Sequence, residues 1–229
     1  MKKIFKGWSH FEITFLFCSL IIITLCFFLG ADRNVFSLIV SLVGVISVLT
    51  VAKGLVIAPM INIIYNLIYA ILSITQQYYG EAIIYIFLMI PISVISIIEW
   101  LKNKSKDSEK VVEVNKIHGI EYAWLSVVTI IATIGFYFLL RFLHTNELII
   151  STISLISSLV ASYLMLRRCS YYALGFVTND IILIILWSLV VKNNSISYLP
   201  TVITFVVFLI NDIYGFINWK RLEKKQEIN

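Results

Sequence analysis

The polar residues of this chain that could do chemistry are few, and they sit inside apolar runs. Asn179-Asp180-Ile181 leads to Trp187, and Asn211-Asp212-Ile213 leads to Trp219. In each segment seven residues separate the Asp from the Trp, two helical turns, so on a helix both project from one face. An Asp at the centre of a membrane helix costs about 2.5–3.5 kcal/mol on insertion scales, so Asp180, near the middle of its run, is expected to serve a pocket. Asp212 and Trp219 lie nearer a run's end and read as helix–helix glue and interfacial anchoring. A second group, Asn62, Tyr65, Asn66 and Tyr69, falls at i, i+3, i+4 and i+7 and makes a polar-aromatic stripe. Amides can hold sugar hydroxyls and aromatic faces can hold a base, so the stripe suits a nucleoside-like ligand, with plain packing as the alternative.

The elements that must position these groups are membrane helices. Of 229 residues 60% are hydrophobic and 14% charged, with mean hydropathy +0.94, a composition no soluble domain of ordinary surface has. A span of the hydrocarbon core needs about 20 apolar residues, and eight stretches qualify: His10 to Leu29, Val35 to Val51, Leu55 to Ile74, Ala82 to Ile98, Tyr122 to Leu140, Leu148 to Leu166, Tyr172 to Val190 and Tyr198 to Trp219. An open strand in lipid would leave backbone groups unpaired, and the alternating polar positions of a barrel are absent. The expected class is therefore an all-α integral membrane protein of about eight spans.

Charge gives the topology. Of the 18 Lys and Arg, 15 fall in alternate gaps: Lys2, Lys3 and Lys6; Lys53; Lys102, Lys104, Lys106, Lys110 and Lys116; Arg167 and Arg168; Lys220, Arg221, Lys224 and Lys225. Only Arg33, Arg141 and Lys192 fall in the others. The positive-inside rule then puts both termini in the cytoplasm. Lys2, Lys3 and Lys6 before a run ending in Gly30-Ala31-Asp32 could mark a signal peptide, but the run is longer than an h-region and no A-x-A site follows.

The longest hydrophilic stretch, Lys102 to His118, reads as a solvated linker. On either side lie two three-helix units whose last helices look alike. Met60-Ile61-Asn62-Ile63-Ile64 resembles Thr178-Asn179-Asp180-Ile181-Ile182, and Ile98-Glu99-Trp100 resembles Ile217-Asn218-Trp219. Both units begin outside, so an odd number of spans must separate them, and Tyr122 to Leu140 supplies one. The result is a 3+1+3 arrangement of parallel repeats with an extra N-terminal helix, as in SWEET transporters. The expected division is 1–34 for the extra helix, 35–100 for the first repeat, 101–145 for linker and connecting helix, 146–219 for the second repeat and 220–229 for a cytoplasmic tail. Pro91 is expected to kink the fourth span, and Trp100 and Trp124 to anchor at interfaces.

Several classes drop out. No G-x-x-x-x-G-K-[ST] loop is present for ATP hydrolysis, and neither H-E-x-x-H nor G-x-S-x-G for a protease or hydrolase. Cys18, Cys26 and Cys169 make no disulfide or metal spacing, and His10, His118 and His144 are scattered. We expect no enzyme, no cofactor and no bound metal. The net charge of +5 forms no basic cluster for nucleic acid.

Further residues carry a family resemblance. Gly80-Glu81, Phe87, Pro91, Ile95 and Trp100 resemble the G-[DE]-x-x-x-N-x-F-x-x-x-P-x-x-x-I-G-x-x-x-W segment of the PnuC vitamin B3 transporters, and Tyr69-Ala70, Phe205, Phe208, Asn211, Tyr214-Gly215 and Trp219 resemble its other signatures. Departures fall where substrate would be read: Tyr85 stands for the motif's Asn, Ser93 for a Gln after the Pro and Ser96 for the Gly before the Trp. If Asp180 takes the place of the family's carboxylate or amide, Ala173 and Phe176 occupy its Trp-x-x-Trp positions.

The resemblance implies a SWEET-like bundle that moves nicotinamide riboside across the cell membrane by facilitated diffusion, with intracellular phosphorylation trapping it. The alternative is a vitamin-binding membrane subunit of an ATP-driven importer. Substrate-binding residues are expected at Asn62, Asn66, Tyr69, Tyr85, Ser93, Asn179, Asp180, Trp187, Asn211 and Tyr214. Expected partners are the small-molecule substrate, the lipid bilayer and further copies of the chain in a homo-oligomer.

Overall fold

The computed structural model describes residues 7–29, 34–106, 108–193 and 196–228. The charges expected at Lys2, Lys3, Lys6 and Arg33, and the Gly30-Ala31-Asp32 turn, lie outside the described residues. Eight helical stretches among those described are long and apolar enough to cross a bilayer. They are α1 (His10–Leu29), α2 (Val35–Ala52), α3 (Ala58–Thr75), a broken span of α4 (Tyr79–Ile84) and α5 (Ile90–Lys102), α6 (Gly119–Phe142), α7 (Leu148–Leu166), α8 (Tyr172–Asn193) and α9 (Leu199–Ile228). Within a bilayer each helix satisfies its own backbone, which is why runs rich in β-branched residues are helical here.

The break in the fourth span has a sequence cause. Pro91 has no N–H, and its ring excludes a regular carbonyl one turn earlier. The preceding residues Tyr85–Met89 form a π-helical turn, closed by the Ile90 N–H on the Tyr85 carbonyl. The wider turn brings Tyr85 and Met89, both buried, to the interior face.

Helices α2, α3 and α4–α5 form one unit and α7, α8 and α9 the other. The first helix of each packs on the last span of the opposite unit, α2 on α9 and α7 on α4 and α5. Helix α1 lies against α2 and α9, and α6 runs along α7. The turns after α2 and α7 share one hydrogen-bond pattern: Gly54 N–H to Val51 O, Leu55 N–H to Thr50 O and Ala58 N–H to Leu55 O recur as Arg168 to Met165, Cys169 to Leu164 and Tyr172 to Cys169. Gly54 and Arg168 both hold positive φ, 64° and 59°, which glycine adopts freely and arginine does not. The Arg168 guanidinium is tied down instead, donating to the Glu113 carbonyl at 3.1 Å and to Glu99 at 3.3 Å. Burial holds it below its usual pKa, an effect that Glu99 opposes.

These turns correct the internal register. Gly54 with Arg168, Leu55 with Cys169 and Ala58 with Tyr172 share a constant offset of 114 residues, which sets Asn66, not Asn62, opposite Asp180. The sequence match was one helical turn out; a four-residue slip leaves the same face forward, so periodicity cannot detect it.

The stretch expected as a solvated linker is partly folded. Strands β1 (Lys104–Ser105) and β2 (Ser108–Val112) pair antiparallel. Val112 is fully buried; its N–H donates to Gly54 O at 2.9 Å, and its carbonyl accepts from Gln226 at 3.2 Å. Asn115 N–H reaches Arg168 O, so the segment straps both unit turns to α9 at one end of the bundle. That end also holds Lys53, Arg167 and the helical residues after Trp219.

Candidate functional site

A cavity lies where the two units meet. Its walls come from α2, α3, the π turn, α7, α8 and α9. Its volume is about 40 Å³, room for roughly three waters. A nucleoside enters only if the walls move apart.

Helix α3 supplies Asn62, Tyr65 and Asn66, the inward part of the stripe. Asn62 accepts from Ser47 of α2, and Asn66 donates to Ser93 Oγ at 3.3 Å. Helix α8 supplies Asn179 and Asp180. The Asn179 side-chain oxygen accepts from three serines of α7: Ser154 at 3.1 Å, Ser157 at 2.9 Å and Ser158 at 3.1 Å. Its NH2 group has no partner among the described residues. Helix α9 adds Phe205, Phe208 and Asp212, at i, i+3 and i+7.

Aromatic layers lie toward both ends of the cavity. On one side Tyr69 packs against Tyr85, ring centroids 4.3 Å apart and tilted by 46°, and meets Phe205 at 5.7 Å and Trp187 at 6.1 Å; the Trp187 indole N–H donates to the Tyr69 hydroxyl at 2.8 Å. On the other, Tyr172 lines the cavity and lies 4.9 Å from Trp219, itself 5.7 Å from Trp100. Gly44 of α2 makes room for the ring pair Tyr65–Phe208: a Cβ there would lie 2.6 Å from Phe208 and 2.8 Å from Tyr65.

Of the ten expected residues, Asn62, Asn66, Tyr85, Asn179 and Asp180 line the cavity. Tyr69, Ser93 and Trp187 stand behind these, each bonded to or packed against a residue of the wall or its neighbour. Asn211 also stands behind, donating to Val48 O at 3.1 Å and Asp212 at 3.2 Å. Tyr214 lies apart. Its hydroxyl donates to Glu12 at 2.9 Å and its ring packs on Phe11, because two residues past Asp212 is some 200° around a helix.

Three other assignments change. Asp212, expected as glue, faces the cavity. Trp100 and Trp219, expected as interfacial anchors, are fully buried, since each indole finds a carbonyl in the opposite unit: Met165 O at 3.2 Å and Val51 O at 3.0 Å. Among lining residues not expected, Phe205, Phe208 and Asp212 carried a signal in their one-face spacing; Met89, Met165 and Tyr172 carried none.

The lining offers two carboxyl groups, three amides and several aromatic faces, with no Lys, Arg or His among the described residues. The chemistry of such a wall suits a hydroxyl-bearing ring compound, neutral or positive.

Comparison with known proteins agrees with this architecture. The chain is 29% identical to the nicotinamide riboside transporter PnuC of Neisseria mucosa, over 98% of this chain and 86% of that one. It is 22% identical to the Haemophilus influenzae protein of the same name, over 98% and 96%. A crystal structure of the vitamin B3 transporter PnuC superposes with a TM-score of 0.85 at 24% identity, covering 98% of this chain and 97% of that one, which establishes the shared fold. The sequence profile of nicotinamide mononucleotide transporters matches residues 34–221. The chain thus belongs to the nicotinamide mononucleotide transporter family, membrane transport proteins rather than enzymes.

Proposed function

We propose that the protein carries nicotinamide riboside into the cell by facilitated diffusion, with phosphorylation inside trapping the product. The observation that carries this is the placement of the cavity: both three-helix units line it, and an aromatic layer lies toward each end. Rocking one unit against the other would open one layer while the second stays shut, which is alternating access around a fixed site. The asparagines suit the ribose hydroxyls, and the tyrosine and phenylalanine faces suit the pyridine ring. Relatives named as nicotinamide riboside transporters support the substrate.

In this reading the termini and the hairpin strap are cytoplasmic, as the clustering of Lys53, Lys110, Arg167 and Arg168 at one end supports. The units run over 35–100 and 146–219. The cell membrane holds the protein, and the reading calls for no cofactor. The deciding experiment places purified protein alone in liposomes with labelled nicotinamide riboside. Equilibration without ATP is expected; strict dependence on a co-purifying ATPase would instead identify a subunit of an ATP-driven importer.

A further inference from the structure

A groove of about 720 Å³ lies at the strap end of the bundle, apart from the cavity between the units. The start of α1, the strap at Lys110 and the last turns of α9 from Tyr214 to Leu222 wall it, together with Lys53 of the turn after α2. Its charges are unbalanced. Lys53, Lys110 and Arg221 line it against a single carboxylate, Glu12, among the described residues. Glu12 is fully engaged: it accepts from Lys53 Nζ at 2.6 Å, from the Tyr214 hydroxyl at 2.9 Å and from the Ser9 N–H at 2.6 Å. Lys53 also donates to Gly7 O at 3.1 Å and lies 4.9 Å from the centre of the Trp8 ring. Lys110 and Arg221, both exposed, make no side-chain hydrogen bond or ion pair among the described residues. Two cations are thus left uncompensated, and the ligand that satisfies them is an anion.

The apolar side of the groove narrows the kind of anion. Val206, Ile210, Ile213 and Ile217 are exposed on α9. Their spacing of four, three and four residues puts them in one ladder on one face of the helix. Arg221 follows Ile217 by another four and heads the same ladder, just past the apolar run. Phe11 of α1, also exposed, flanks it with its ring 4.9 Å from that of Tyr214. A soluble anion would meet the two cations and leave the ladder unused. A phospholipid uses both, because its phosphate lies at the depth where basic side chains leave the hydrocarbon and its chains lie below.

We propose that this groove binds an anionic phospholipid, its phosphate held by Lys110 and Arg221 and an acyl chain laid along α9 from Ile217 to Val206. The bound phosphate bridges the strap to α9, alongside the bond from Gln226 to Val112 O, so occupancy steadies the strap end. The site is independent of the transported substrate.

The test titrates the purified full chain, in uncharged detergent and without substrate, with dioleoyl phosphatidylglycerol or dioleoyl phosphatidylcholine. Native mass spectrometry counts the lipid retained, and the melting temperature is read in parallel. One phosphatidylglycerol per chain is expected at concentrations where phosphatidylcholine is not retained, with a higher melting temperature. Lys110→Gln with Arg221→Gln should weaken that binding on the order of thirtyfold, from the attraction that two basic residues contribute at an anionic surface. Both side chains are exposed, so the variant should fold. Lys106→Gln with Lys224→Gln removes the same charge from exposed positions outside the groove and should leave binding intact. Glycerol 3-phosphate, the anion without its chains, should neither bind nor raise the melting temperature at the same concentration. An equal effect of glycerol 3-phosphate would assign the groove to a soluble anion and overturn the proposal. Equal retention of the two lipids, or equal loss in the two double variants, would overturn it as well.

Discussion

The indoles of Trp100 and Trp219 lie 5.7 Å apart, and each donates its N–H to the last turn of the first helix of the opposite unit. The two acceptors, Met165 and Val51, occupy the same place in their respective turns. The bonds are thus reciprocal, and they fasten the units at the end where the hairpin strap also lies. Trp100→Phe or Trp219→Phe would keep an aromatic ring and remove one hydrogen bond between the units, at roughly 0.5–1.5 kcal/mol each, since each carbonyl keeps the N–H of its own turn. Lower melting temperatures in detergent are expected for both, and the double variant should lose less than the two single effects together, since the rings touch.

Topology follows from the charge pattern and the exposure of particular positions. In a background without Cys18, Cys26 and Cys169, single cysteines at Gln77, Asn146 and Asn193 should react with an impermeant thiol reagent added to intact cells. Cysteines at Glu109 and Lys224, equally exposed but at the strap end, should stay unlabelled until the membrane is opened. Labelling of Glu109→Cys in sealed cells would refute cytoplasmic termini.

Length and apolarity made the eight spans legible, and helical spacing made the Asn62–Tyr69 stripe legible, because both are local properties of one helix. What stayed hidden depends on neighbours. A Trp at the end of an apolar run looks the same whether it meets headgroups, as exposed Trp124 can, or a carbonyl of another helix, as Trp100 does. Tyr214 shares a motif with Asp212 yet points the other way, since adjacency in sequence is not adjacency on a helix. Val112, the buried end of the strap's second strand, sits in a charged stretch whose few valines give little hint of a strand. At the N-terminus, the Ser9 and Glu12 side chains cap each other's backbone N–H, at 3.2 and 2.6 Å. That reciprocal capping box was readable as Ser-x-x-Glu.

Gly44 tests the fit of the aromatic wall. A methyl group there meets ring atoms at 2.6 and 2.8 Å, so Gly44→Ala must displace Phe208 and Tyr65 together. Overpacking of this kind costs about 1–3 kcal/mol. The expected outcome is a lower melting temperature together with weaker binding in the same variant. A change in stability with affinity untouched would mean that the Tyr65–Phe208 pair does not shape the ligand site.

Asn66 and Tyr214 separate binding from packing most cleanly, because each makes one described side-chain hydrogen bond and only one of them faces the cavity. Asn66→Ala removes an amide from the wall and leaves Ser93 able to turn to another partner. Binding of nicotinamide riboside should weaken by roughly 1–3 kcal/mol, the usual loss for a buried hydrogen bond left unmade, with little change in melting. Tyr214→Phe removes a donor to Glu12, whose carboxylate also pairs with Lys53 at 2.6 Å. That substitution loosens the attachment of α1 to α9 and should lower the melting temperature, while affinity among folded molecules holds. Were Tyr214→Phe to reduce affinity as much as Asn66→Ala does, the ligand would have to reach the α1–α9 groove, and the cavity between the two units would not be the principal site.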